Sequence, residues 1–225
     1  MVDLQGLFLL FEQNANPGLA HQMAKYMGFN FEFYGIQKPL RQKLQKQFWQ
    51  QHGYPTIDQL KDVILELWQH AKREPQYTAL DLLDKFKTRL PKDFIQTVET
   101  LITTKPWWDT VDLLAAKIVF NLFEKYPELE QKYFEKWLNS NNLWLQRTTL
   151  IYQLKRKDKV NYQNVEKAVD QLKDSNEFFI QKAIGWILRE ISKTNPQYVK
   201  QFVQTHDLPA LSRREALRYL KRKKN

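Results

Sequence analysis

Prolines at 39, 55, 75, 91, 106, 127, 196 and 209 constrain the fold of this 225-residue chain more than any other feature. Proline lacks an amide hydrogen and fixes φ at about −65°, so it interrupts a helix or opens one. Several of these residues precede runs with apolar positions three and four apart, where proline suits the first helical turn. Taken two apart, the intervals 39 to 75, 55 to 91 and 91 to 127 are each 36 residues, and 75 to 106 is 31. No segment alternates β-branched and polar residues over five positions or more. The pattern predicts an all-α chain, a right-handed-type helical solenoid of about 12 short antiparallel helices with two helices per repeat and one concave face. A four-helix bundle with added helices is the rival arrangement, and the brief turns between short helices favour the array.

Composition adds exclusions. No composition shift divides the chain, so residues 1–225 are expected to form one domain. Hydrophobic residues make up 43% of the sequence, yet no apolar run approaches the roughly 20 residues that span a bilayer. The N-terminus, Met1-Val2-Asp3-Leu4, lacks the basic region and cleavage site of a signal peptide, so a cytoplasmic protein without membrane association is expected, and it is expected to be a monomer. There is no cysteine, which excludes disulfides and thiolate metal sites. His21, His52, His70 and His206 show no metal-ligand spacing, and the six glycines form no phosphate-cradling motif. Neither a metal nor a nucleotide cofactor is expected.

The net charge of +10 is unevenly placed. Residues 1–140 hold 17 Lys and Arg against 17 Asp and Glu, whereas residues 141–225 hold 18 against 8. An excess confined to the last 85 residues reads as the footprint of a polyanion, whose counterions are released on binding; ordinary solubility charge is the other reading.

One hexapeptide carries chemistry. Trp107-Trp108-Asp109-Thr110-Val111-Asp112 opens an apolar run, and Trp108 and Asp112, four apart, share a helix face. An aromatic plate beside a carboxylate suits a cationic or sugar-like centre; a bulky core helix with acidic residues at its start is the alternative. Asp109 falls in the first turn, where the macrodipole favours a carboxylate, and is read as structural.

Three further stretches are candidates. Lys182, Trp186, Arg189 and Lys193 recur at helical spacing over 178–193, opposite an apparent core face of Phe179, Ile180, Ala183, Ile184, Ile187 and Ile191, and Gly185 permits close approach of a backbone or ligand. Cations interleaved with an indole suit a nucleic-acid backbone, or else the indole merely covers a seam between helices. Trp144, Arg147, Ile151 and Lys155 recur similarly, and Arg147 can grip a phosphate bidentately. Near the C-terminus, Ser212 and Glu215 fit a capping box and Arg214, Arg218 and Lys221 share a face, before the tail Lys221-Arg222-Lys223-Lys224, which is either a phosphate clamp or a solvated end. The aromatic stretch Phe29-Asn30-Phe31-Glu32-Phe33-Tyr34-Gly35-Ile36 reads as a loop, packing as a cap or meeting a ligand.

These residues together resemble the AlkD-type DNA alkylation-repair glycosylases, monofunctional enzymes built from HEAT-like helical repeats. The resemblance rests on Lys25-Tyr26-Met27, Tyr34-Gly35-Ile36 with Pro39 and Arg41, Arg73-Glu74-Pro75-Gln76-Tyr77, the tryptophan hexapeptide, Trp144 to Arg147, and Phe179 to Trp186 with Arg189-Glu190. It implies that Asp112 is the catalytic carboxylate, that Trp108 and Trp186 flank the deoxyribose, that Arg147 holds backbone phosphate and that Tyr26 lies beside the duplex. Lys155, Lys182, Arg189 and Lys193 are expected to bind DNA. The implied partner is duplex DNA containing alkylated bases, and the implied reaction is hydrolysis of the N-glycosidic bond of N3- or N7-alkylated purines in base excision repair.

Chemistry agrees with a sparse site. A purine alkylated at N3 or N7 is already cationic and leaves without protonation, so one ionised carboxylate and electron-rich aromatic faces suffice to stabilise an oxocarbenium-like sugar and direct water at C1′. The sequence shows neither a histidine nor a second carboxylate assigned to such a site. A non-catalytic helical-repeat DNA-binding protein, and a scaffold for an acidic protein, are the alternatives.

Overall fold

The computed structural model describes residues 2–222; Lys223 and Lys224 of the basic tail lie outside the described residues. The described chain is helical, with an isolated bridge between Glu32 and Lys72 as its β pairing. It packs as two compact units, one ending at Thr97 and the other beginning at Val98.

The first unit contains α1 (Gln5–Gln13), α2 (Pro17–Tyr26), α3 (Lys38–His52), α4 (Ile57–Gln69) and α5 (Glu74–Phe86), and the boundary falls within α6 (Phe94–Thr103). Pro17, Pro39 and Pro75 stand at the first or second position of α2, α3 and α5. Thr56 and Gln59 close a capping box on α4, each side chain meeting the other's backbone amide. Leu7, Phe11, Phe48, Leu67, Trp68 and Leu83 are buried in this unit.

The aromatic loop packs into the first unit. Phe33, Tyr34 and Ile36 are buried, the Arg73 guanidinium lies 3.7 Å from the centre of the Phe31 ring, and Phe29 stays exposed. The loop is tied down by Glu74, which is 0% exposed: its carboxylate accepts from the amides of Tyr34 at 3.0 Å, Gly35 at 2.9 Å and Ile36 at 3.1 Å. Gly35 is required on two counts. Its φ is +85°, and a Cβ there would stand 2.1 Å from the Asn16 carbonyl oxygen.

The second unit continues with α7 (Trp108–Leu113), a π-helical segment Leu114–Val119, α8 (Phe120–Lys125), α9 (Pro127–Leu138), α10 (Leu143–Ile151), α11 (Tyr162–Leu172), α12 (Phe178–Ile191), α13 (Pro196–Thr205) and α14 (Ala210–Arg222). Asn142, Asn161 and Asn195 cap α10, α11 and α13 by accepting amide hydrogens of the first turn. Consecutive helices touch from α8 through α14, and α7, α10, α12 and α14 form a second row in which each contacts the next. These four begin at residues 108, 143, 178 and 210, so one repeat is a helix pair of about 35 residues. The helical-repeat reading of the proline intervals therefore holds.

Two local expectations change. Ser212 and Glu215 do not form a capping box, because α14 starts earlier, at Ala210. Ser212 Oγ instead donates to the Gln181 carbonyl, and Glu215 reaches side chains of α12. The run after Asp112 is also not a plain α-helix: Leu114–Val119 is wound as a π-helix, whose i→i+5 bonds enclose one more residue than an α-turn.

Candidate active site

The second row of helices places six of the sequence-derived candidates on one cavity of about 340 Å³. Trp108 and Asp112 come from α7, Arg147 from α10, and Lys182, Trp186 and Arg189 from α12, joined by Phe178, Phe179 and Glu215. α7 starts where the chain emerges from a turn at Lys105, whose φ of +49° is left-handed, through Pro106 and an extended Trp107. Helical spacing then sets Trp108 and Asp112 on the cavity side, while Thr110 and Val111 are buried beneath.

Trp107 takes the packing role. Its ring centre lies 5.8 Å from that of Trp144 and 5.2 Å from that of Phe179, and Trp144 and Phe179 are 5.1 Å apart. Trp107 and Trp144 thus pack against Phe179, which lines the cavity. Asp109 lies in the first turn of α7, as expected, and its charge acts on Asp112.

Arg147 departs from the expected phosphate hand. It is 4% exposed, and its Nε and Nη2 donate to Oδ1 and Oδ2 of Asp112, both at 2.8 Å. Its Nη1 donates to the Phe179 carbonyl. The bidentate fork thus fixes the carboxylate's plane and links α7, α10 and α12 in one contact. Trp144 and Ile151, drawn on the same stripe, are buried too, so that face of α10 is core.

The Asp112 side chain keeps 15% of its surface open. Burial pushes its carboxyl above the ordinary aspartate range; the hydrogen bonds and charge of Arg147 pull it back in part, and Asp109 adds to the rise. The oxygens are therefore more basic than those of a free aspartate while being held in a fixed orientation.

A second carboxylate shares the cavity, contrary to the sequence reading. Glu215 Oε1 accepts from Lys182 Nζ at 3.0 Å and Oε2 from Arg189 Nη1, with Arg218 Nη1 3.8 Å away. Burial raises the Glu215 carboxyl, but Lys182 and Arg189 outweigh it and hold it below the usual glutamate range. Gly185 is what lets α14 approach, since a Cβ there would stand 2.5 Å from Glu215 Cβ and 2.9 Å from the Ser212 carbonyl oxygen. The close approach anticipated at this glycine is by backbone, not by ligand.

The remaining candidates lie elsewhere. Lys193 falls past the end of α12, where Ser192 Oγ donates back to the Arg189 carbonyl, and it pairs with Glu190. Lys155 sits in the turn after α10. With Lys157 and Lys193 it borders a separate cavity of about 580 Å³ floored by Leu154, Val160, Ile187 and Ile191. Tyr26, at the end of α2 in the first unit, is 74% exposed and borders a cavity of about 250 Å³ with Met23, Phe33 and Tyr77. Sequence reasoning missed Phe178, Phe179 and Glu215. Phe179 was assignable, because it stands three residues before Lys182 and seven before Trp186.

Among the described residues no group of three His, Asp or Glu is gathered as a metal-ligand set, and no helix is long and apolar enough to cross a membrane. The cavity combines two indoles, two phenyl rings, a gripped carboxylate and a cationic rim, which suits a positively charged or sugar-like group attached to a phosphate chain.

No curated protein matches the chain. The solved structure of a protein described as a predicted DNA alkylation repair enzyme from Enterococcus faecalis is similar, with 35% identity and a TM-score of 0.84, over 92% of this chain and 96% of that one. The family model for DNA alkylation repair enzymes matches residues 9–220. The chain therefore belongs to the DNA alkylation repair enzyme family.

Proposed function

We propose that this protein is a monofunctional DNA glycosylase that hydrolyses the N-glycosidic bond of cationic N3- or N7-alkylated purines in duplex DNA, leaving an abasic site. The observation that carries this reading is the Asp112 carboxylate, oriented by Arg147 on the wall of a cavity lined by Trp108 and Trp186. The bond from C1′ to the base nitrogen breaks with its electron pair going to the base, which leaves neutral. The positive charge passes to the sugar, where the ionised Asp112 and the indole faces stabilise it. Water adds at C1′ as its proton moves toward Asp112, whose raised basicity suits that transfer.

Glu215 supports the same selectivity. Held ionised by Lys182 and Arg189, it is no proton donor at neutral pH, so Glu215 is not assigned to protonate a neutral damaged base. Lys182 and Arg189 are assigned to phosphates next to the lesion. Tyr26, Lys155 and Lys193 are assigned to more distant DNA contacts, and Arg147 acts mainly through Asp112.

Release of 7-methylguanine or 3-methyladenine from methylated duplex DNA tests the reading. Wild type is expected to release base, and Asp112→Asn to do so at least about a hundredfold more slowly, the scale of losing one preorganised charge. Equal rates remove Asp112 from the chemistry; no release by wild type defeats the glycosylase reading.

A further inference from the structure

Glu215 has no part in bond breaking, yet its carboxylate occupies the cavity rim between the only two cations that α12 presents there, Lys182 and Arg189. These stand seven residues apart, two helical turns, with Trp186 between them. Left alone, each would sweep many rotamers and meet DNA as a mobile charge. The notch at Gly185 admits α14, and the carboxylate then bonds one cation with each oxygen.

The geometry points to Glu215 as a positioning residue that sets Lys182 and Arg189 into a pre-formed clamp for one backbone phosphate and withholds the excess charge that would hold undamaged duplex. This rests on the glycosylase reading of the same cavity. The lining supports it: Asp112 and Glu215 stand against Arg147, Lys182 and Arg189, so the cavity carries a single positive charge in excess, enough for one phosphodiester. Glu215 is also kept below the usual glutamate range, so the clamp stays closed at neutral pH. Because binding that is equal in the ground and transition states does not raise a rate, giving up ground-state affinity for alignment favours the chemical step. Arg218, 3.8 Å from the same carboxylate and exposed, is a weaker third partner on α14 itself.

Glu215→Gln keeps size and shape while removing the charge. Binding of undamaged duplex is expected to tighten about five- to tenfold at low salt, with a salt slope steeper by up to about 0.9, the increment of one more phosphate neutralised. Single-turnover release of 7-methylguanine at saturating enzyme is expected to fall about tenfold, the effect of a misplaced substrate. A purely structural role lowers both together, so opposite movement of affinity and rate is the signature, and unchanged or parallel movement overturns the proposal. In a Lys182→Gln/Arg189→Gln background, adding Glu215→Gln is expected to leave affinity unaltered; a persisting tightening shows action through other groups and also overturns it. Should Glu215→Gln fail to fold, Glu215→Asp, one methylene too short to span both cations, must show the same opposite movement at smaller size. The binding arm needs no turnover. Wild type that releases no base defeats the glycosylase reading while the clamp still stands or falls on affinity and slope.

Discussion

Glu74 in the first unit and Asp112 in the second show how the same functional group is used in opposite ways. Glu74 is sealed: three backbone amides of the 34–36 loop saturate it and no surface remains open. Asp112 is held by one arginine, keeps an open edge on a cavity and sits above its ordinary pKa because burial outweighs its partner. Amides that converge on a carboxylate satisfy it and leave nothing over, which is a structural use. A single fork that fixes the plane of a desolvated carboxylate leaves basicity in reserve for a reacting group.

Substitution separates the two uses. Glu74→Ala strands three inward-facing amides, each losing a charge-assisted hydrogen bond, and is expected to cost on the order of 5 kcal/mol in urea unfolding. A cost under about 1 kcal/mol would erase the distinction. Asp112→Asn is expected to cost only about 1–2 kcal/mol, since relief of a buried charge offsets part of the lost pairing with Arg147, while removing most activity.

The pH dependence sharpens the contrast further. Because the folded-state pKa of Asp112 is raised, the rate is lost as pH falls through that raised value, and the acid limb of kcat/KM lies above the 3.8 of a free aspartate. The sign for stability is the reverse: the favourable contribution of protonated Asp112 is fully present below its unfolded-state value and disappears as pH rises through the folded one. Arg147→Met removes the opposing pull, so the limb is expected to move to higher pH, and each unit of movement costs about tenfold in rate on that limb. A limb that does not move would show that Arg147 does not tune the carboxylate. The smallest effects are expected at Lys155→Gln and Lys193→Gln, which border a cavity other than that of Asp112. Each lowers the salt slope of DNA binding by about 0.9 without altering the single-turnover rate, and an unaltered slope removes that residue from the DNA contact.

Much of this was legible in the chain because it is local. The spacing of Pro39 and Pro75 marks one repeat, and the interval between Trp108 and Asp112 places both on one cavity wall. What stayed hidden depends on contacts across repeats. Arg147 looks like a surface cation until α10 is set against α7, 35 residues away in sequence, and Glu215 looks like a helix cap until α14 drops into the notch at Gly185. Lys193 illustrates a third cause. Its register with Lys182 assumes a helix that continues, but α12 stops at Ile191 with no glycine or proline at its end to announce the stop.

The wide turn at Leu114–Val119 has a mechanical consequence. One residue more per loop sets the two halves of this helix out of phase, so that Trp108 and Asp112 answer to the cavity while Leu122 and Phe123 answer to the core. Leu114, Ala115, Ile118 and Val119 of the wide turn are themselves buried, so the packing of the second unit fixes the phase at which the carboxylate meets its cavity.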